Sequence, residues 1–315
     1  MPVPLNRRSF LRIGLTASAA VAAPSWLLAQ AAAPDRVQQG RDAAAKTPIK
    51  TTKLADNVYL LQGAGGNMVA QTGPDGKILI DSSFSTAVPA IREALAALSK
   101  DPAFTLINTH WHYDHTDGNE GLHNAGFKIL AHTNTKVRLS TPQSIKLFHL
   151  DLPAAPAGAI PTDVFSDTLT LKPNGDTIDL AHFDAAHTDS DISIHFHKAD
   201  VLHCGDTYFN GFYPFIDESS GGNITGMVNA SQKALTLAGP GTKIVPGHGP
   251  LGDKASLQSY HDMLAGVRDK VAALKTTGAS EQEAIAKKPT AAWDDTWGKG
   301  MLSPDMFVGI VYRTV

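Results

Sequence analysis

Between residues 110 and 115 the chain reads His110-Trp111-His112-Tyr113-Asp114-His115, three imidazoles and a carboxylate within six positions. The run follows an apolar, strand-like stretch at 104–108. In an extended or tightly turning segment His110 and His112 point to one side, because side chains alternate with period 2. Two neutral imidazoles aimed at one point make half of a zinc site. Asp114 and His115 fall where the strand must end, so a turn can swing them to an adjacent point. One run can therefore feed two neighbouring metals.

Matching groups recur downstream. His187 lies in Asp184-Ala185-Ala186-His187-Thr188-Asp189-Ser190, between strand-like stretches at 177–180 and 192–196. Asp206 closes Val201-Leu202-His203-Cys204-Gly205-Asp206, and His248 sits in Lys243-Ile244-Val245-Pro246-Gly247-His248-Gly249-Pro250. Each follows an apolar segment and neighbours Gly or small residues. Binding groups carried on loops of a rigid sheet follow that pattern.

The set resembles the metallo-β-lactamase-fold superfamily of hydrolases. That family's signature is H-x-H-x-D-H, then a distant His, an Asp and a final His. Here the positions are His110, His112, Asp114, His115, His187, Asp206 and His248, in the same order. The resemblance spans roughly residues 50–260 and implies an α/β fold, an αββα sandwich of two mixed sheets flanked by helices. It also implies that His110, His112 and His187 hold one metal and Asp114, His115 and His248 a second, with Asp206 bridging. Zn²⁺, two per chain, is the expected cofactor. Imidazole and carboxylate equally suit iron or manganese, whereas five histidines exclude an all-oxygen calcium site.

Two such cations make hydroxide available near neutral pH from a bridging water, so no serine or cysteine nucleophile is required. Asp114 has a second expected task, orienting the nucleophile or passing its proton to the leaving group. Asn223, on the Gly-rich segment 220–224, resembles in placement an Asn that aids oxyanion binding in some β-lactamases of this fold. An ordinary helix N-cap is its alternative reading. Tyr208 is either a hydrogen-bond donor to substrate or a packing aromatic. Cys204, the single cysteine, reads as a buried inert thiol. His123, His149 and His203 read as structural or surface groups.

The elements that must position these residues alternate. Strands are expected at 57–61, 67–72 and 78–81, then a helix over 86–98 with Val88, Ile91, Leu95 and Leu98 at helical spacing. A strand at 104–108, a helix at 117–124 and a strand at 128–131 continue an α/β pattern. The Pro-rich segment 133–164 reads as a long irregular insertion, either part of a wall over the site or a surface loop with no role. Helices are expected at 224–237 and 254–274, and a helix start with a nearby carboxylate at Ser280-Glu281-Gln282-Glu283. The apolar stretch 306–312 should pack in an outer layer.

Residues 1–31 read as an export signal: Arg7-Arg8-Ser9-Phe10-Leu11 resembles the twin-arginine type, and an apolar stretch and Ala29-Gln30-Ala31 follow. Residues 32–49 read as a linker and 50–315 as the hydrolase domain. The expected location is periplasmic, with no stable membrane insertion of the mature chain. A net charge of −3 without a Lys/Arg run argues against a nucleic-acid partner. The expected partner is a small-molecule substrate, and the oligomeric state stays open.

A periplasmic binuclear zinc hydrolase suits a small cyclic amide or ester, β-lactam-like or a lactone. Phe209 stands three residues after Asp206, where some β-lactamases of the family carry a drug-binding Lys. Alternatives are an iron-dependent oxidoreductase or a thioesterase or sulfatase on the same fold, and a non-catalytic metal-stabilised binding protein.

Overall fold

The computed structural model describes residues 35–315, and the expected export signal lies outside them. Residues 36–44, assigned to a linker from the sequence, form α1 (Arg36–Ala44). Asp35 caps it by accepting from Gln38 N, and Val37 and Ala44 are buried. Arg41 binds Asp117 through both Nε and Nη2. An Ala-rich segment with a cap and two apolar contacts favours helix over linker.

The first sheet has seven strands. In chain order these are β1 (Lys50–Lys53), β2 (Val58–Gln62), β3 (Met68–Gln71), β4 (Lys77–Ile80), β5 (Ala103–Ile107) and β6 (Lys128–His132). Two further strands, β7 (Gln143–Ile145) and β8 (Leu150–Leu152), form a separate hairpin, and β9 (Asp163–Phe165) returns to the sheet beside β6. The first four strands pair antiparallel, and β4, β5, β6 and β9 pair parallel. The second sheet orders β10 (Thr168–Leu171), β11 (Ile178–His182), β12 (Ile192–Phe196), β13 (Val201–His203) and β14 (Lys243–Val245). All of its pairings are antiparallel except β13 with β14.

Side-chain alternation explains the layers. In β2 to β4, Leu60, Val69, Ile78 and Ile80 face the second sheet's Ile178, Leu180, Ile192, Ile194 and Val201. Their neighbours Leu61, Met68, Ala70 and Leu79 face outward, under α2 (Val88–Leu98). Beyond α2 the chain forms α3 (Tyr113–Thr116), α4 (Asn119–His123) and α5 (Thr133–Leu139). The second sheet's outer face is covered by α6 (Ile224–Leu237), α7 (Lys254–Thr276), α8 (Glu281–Ala286), α9 (Asp294–Trp297) and α10 (Pro304–Thr314). The result is the expected αββα sandwich.

Three local expectations change. The helix expected over 117–124 starts at Asn119, after the separate one-turn α3. The segment 133–164 is not irregular: it holds α5, the β7–β8 hairpin and the first residues of β9. The apolar end of the chain is helical, because Ser303 caps Met306 N and Pro304 starts α10. Ser280 and Glu283 form the expected capping box. Among the described residues no helix is long and apolar enough to cross a membrane.

Strand direction places the site. β4, β5 and β6 run parallel, and two antiparallel steps through β12 set β11 parallel to β13 and β14. The loops leaving β5, β11, β13 and β14 carry the candidate ligands. Backbone bonds tie these loop regions across the two sheets: Asn67 N donates to Gly247 O and Ile192 N to Thr109 O.

Candidate metal centre

The strand β5 ends at Ile107, the chain bends over residues 109–111 with His110 in the bend, and His112 is extended again beyond it. His112 is the N-cap of α3, whose single turn carries Asp114 and His115. The change from extended to helical backbone is what separates two donor pairs only a few residues apart. His187 stands in the β11–β12 loop, Asp206 in a 3₁₀ turn after β13, and His248 after β14.

These seven side chains converge. His110, His112, His187 and Asp206 offer ligand atoms all within 4.8 Å of one another, and so do Asp114, His115 and His248. Asp206 joins the groups. Its Oδ2 lies 4.0 Å from His110 Nε2, 3.5 Å from His187 Nε2 and 3.4 Å from His248 Nε2, while Oδ1 lies 3.1 Å from His115 Nε2. Asp114 Oδ2 is 3.1 Å from His248 Nε2. The approach is close enough that a Cβ on Gly247 would meet Asp206 Oδ1 at 1.9 Å, and one on Gly66 would meet the His115 ring at 2.1 Å. Glycine is required at both positions for room.

Each deep imidazole has its outward nitrogen engaged. His115 Nδ1 donates to Asp81 Oδ2 (2.8 Å), His187 Nδ1 to Phe215 O (2.7 Å) and His112 Nε2 to Asp217 Oδ2 (3.1 Å). His110 Nδ1 donates to Thr109 Oγ1 (3.0 Å), which in turn donates to Asp81 Oδ2 (2.8 Å). The acceptors fix which nitrogen of each ring faces inward, and on His110, His112 and His187 they leave that nitrogen bare, the arrangement that metal-binding histidines show. His110 Nε2 is buried with no hydrogen-bond partner. An orphaned nitrogen beside three other donors fits a cation, as does the N/O donor set.

The electrostatics agree. Burial, with help from neighbouring His115, drives His110 well below the usual imidazole range, and burial takes His187 down to about 4 despite Asp206. His115 and His248 go the other way. Burial opposes their charge, but Asp206 and Asp114 outweigh it, holding His115 well above its ordinary value and His248 at about 10. Asp114 is held at about 2 against burial by His115 and His248, and Asp206 well below the carboxylate range by His248 and His115. Without metal, protons on His115 and His248 balance the two carboxylates. A divalent cation would take over that charge.

Access is one-sided. Side-chain exposure is 22% for Asp114 and 24% for His248, against 4% or less for the other five. Phe209 stacks on the His248 ring at 5.5 Å, and Phe215 on His112 at 5.7 Å. Phe148, at the tip of the β7–β8 hairpin, lies 4.7 Å from Phe215. The hairpin therefore reaches the aromatic wall of the site.

The other sequence candidates lie elsewhere. Asn223 caps α6, its Oδ1 accepting from Gly226 N and its Nδ2 donating to Ala185 O. Tyr208 is buried in the outer layer against Tyr260. Cys204 is buried there too, and burial pushes its thiol up to about 12. His203 bridges Asn67 O and Gly205 N. Sequence reasoning missed Asp81, Thr109, Phe215 and Asp217. Asp81 carried one readable signal, a carboxylate at a strand exit like the ligands themselves.

The metallo-beta-lactamase superfamily model matches residues 55–248. No curated protein matches the chain. Among solved structures, a metallo-beta-lactamase from Pontibacter korlensis superposes with a TM-score of 0.55 at 17% identity, covering 69% of this chain and 99% of its own. The DIM-1 metallo-beta-lactamase gives 0.53 at 18%, covering 70% of this chain and 99% of its own. The inverting sec-alkylsulfatase Pisa1 from Pseudomonas sp. gives 0.64 at 17%, covering 87% of this chain. The chain spans about half of the sulfatase's length, 51%.

Proposed function

The chain belongs to the metallo-beta-lactamase superfamily, and from that premise we propose that it is a binuclear zinc hydrolase opening the C–N or C–O bond of a small cyclic amide or ester. The observation that carries this reading is Asp206, set 3.1–4.0 Å from four imidazoles drawn from both groups. A bridging carboxylate between two donor sets has no use in a protein that only binds.

His110, His112 and His187 would hold one cation, Asp114, His115 and His248 the other, and Asp206 both. When bound, the pair would supply a strong nucleophile from water near neutral pH and polarise the attacked carbonyl. The remaining work falls to the protein. Asp114 is ionised, partly open to solvent and 3.1 Å from His248. It can accept a proton from the attacking water and return it to the leaving nitrogen or oxygen. Phe209, Phe215 and Phe148 give the mouth an apolar wall that excludes water and favours an uncharged group beside the scissile bond.

Hydrolysis of an alkyl sulfate is a second reading. It is favoured by the sec-alkylsulfatase, which superposes on 87% of this chain against 69% for the Pontibacter β-lactamase. The deciding experiment is metal content by plasma mass spectrometry, with turnover of a chromogenic cephalosporin, a simple lactone and a secondary alkyl sulfate. About two zincs per chain and hydrolysis abolished by chelation support the proposal. Iron with oxygen consumption would replace it with an oxidoreductase.

A further inference from the structure

Two imidazoles of the deeper group are oriented by one segment that carries no ligand. Phe215 O accepts from His187 Nδ1 at 2.7 Å, and two residues on Asp217 Oδ2 accepts from His112 Nε2 at 3.1 Å. We infer that Asp217 is a positioning residue: it fixes His112 in the tautomer whose Nδ1 is free for metal, and so sets the affinity of the His110, His112 and His187 group. The inference rests on the metal centre proposed above.

The geometry makes the choice of nitrogen unambiguous. His112 Nδ1 lies 2.8 Å from His187 Nε2, inside the cluster, while its Nε2 faces Asp217. An imidazole with its proton on Nδ1 would present N–H to the cation and could not bind it. An ionised carboxylate only accepts, so at this position it selects the Nε2–H form. His112 alone of the three depends on a side chain for a full negative charge at this nitrogen. His187 uses a backbone carbonyl and His110 a threonine hydroxyl.

Asp217 is itself fixed. It is 1% exposed. Its Oδ1 accepts from Ser219 N (2.9 Å) and its Oδ2 from Ser220 Oγ (2.7 Å). Its own N–H donates to His187 O (2.9 Å). The turn it begins is anchored from two sides, one of them beyond the residues that match the superfamily model. Arg313 of α10 grips Glu218 at 2.7–3.0 Å, and Lys146 N of the hairpin tip donates to Ser219 Oγ. The C-terminal helix thereby supports a ligand it never touches.

The test is zinc affinity of the full chain, measured by competition with a chromophoric chelator, for wild type, Asp217→Ala, Asp217→Asn and Ser220→Ala. Asp217→Ala should bind the zinc of the His110, His112 and His187 group about ten- to hundredfold more weakly. Asp217→Asn, whose carbonyl oxygen still accepts from His112, should lose much less. Ser220→Ala loosens the turn but keeps the acceptor, and should stay near wild type. Imidazole ¹⁵N–¹H spectra of the zinc-loaded proteins give a second readout. The His112 Nε2–H signal should persist in wild type and Asp217→Asn and vanish in Asp217→Ala. Wild-type affinity in Asp217→Ala, or an equal loss in Ser220→Ala, would overturn the inference. A wild-type chain that binds no zinc overturns the metal centre itself, and this inference with it.

Discussion

Asp81 and His115, 34 residues apart, meet through a 2.8 Å hydrogen bond with both side chains fully buried. The same carboxylate accepts from Thr109 N and Thr109 Oγ1, each at 2.8 Å. One acidic group leaving β4 therefore braces the loop leaving β5, and through Thr109 it also reaches His110. The two donor groups share this single outer support.

Replacing Asp81 by Ala strands three buried donors. At about 1–3 kcal/mol for each unsatisfied group, partly relieved by relaxation, the variant should lose about 3–5 kcal/mol of unfolding free energy, comparable to breaking a buried pair. Urea denaturation reads this directly. A loss below about 1 kcal/mol, the ordinary effect of a surface change, would show the brace to be dispensable.

Asp114 separates chemistry from metal holding. Asp206, His115 and His248 remain as donors when it is removed. Asp114→Asn should therefore lower kcat by about a hundredfold or more while zinc content falls by less than half. If zinc loss and rate loss scale together, Asp114 is a ligand and nothing else.

His132 gives a pH dependence away from the metal ligands. Its Nδ1 accepts from Asn134 N, its Nε2 donates to Ser166 O, and its ring stacks on His182 at 3.8 Å. Burial, with His182 adding to it, lowers its pKa below the ordinary 6.5. The folded protein thus keeps His132 neutral while the unfolded chain protonates it first. The stability involved is present in full above pH 6.5 and lost as pH falls through the depressed folded value. Protonation at Nδ1 would also break the α5 cap. Between pH 7.5 and 5.5 the thermal midpoint of the wild type should fall more than that of His132→Asn, which keeps a capping oxygen. Parallel curves would exclude this histidine as the source.

Phe148 tests the hairpin wall. It packs on Phe215, and the Arg36 guanidinium lies over its ring, 4.4 Å from the centroid. Phe148→Ala removes an aromatic pair whose loss amounts to about 0.5–1.5 kcal/mol beyond area. KM for an apolar substrate should rise by about three- to tenfold with kcat and zinc content little changed. An unaltered KM would leave the hairpin without a part in substrate binding.

The candidate ligands were legible because their chemistry is local. His110, His112, Asp114 and His115 announce themselves by residue type and spacing, and His187, Asp206 and His248 each stand at the exit of an apolar strand. Alternation and helical spacing likewise located β12 and α6 at their observed bounds. Helix α1 was missed because its packing partners lie far along the chain, at Phe84 and Asp117. The β7–β8 hairpin was missed because proline content masked two three-residue strands.

What the sequence determined by itself was the donor set and an α/β alternation, which the family resemblance refined to the αββα layering, since side-chain type and periodicity fix which atoms can bind a cation and which faces must be buried. Only the tertiary structure decided which nitrogen of each imidazole faces inward. That choice belongs to Asp81, Thr109, Phe215 and Asp217, and for His112 and Asp217 the partners are 105 residues apart. A hydrogen bond over that separation leaves no periodic trace, because it exists only once two sheets have closed against each other.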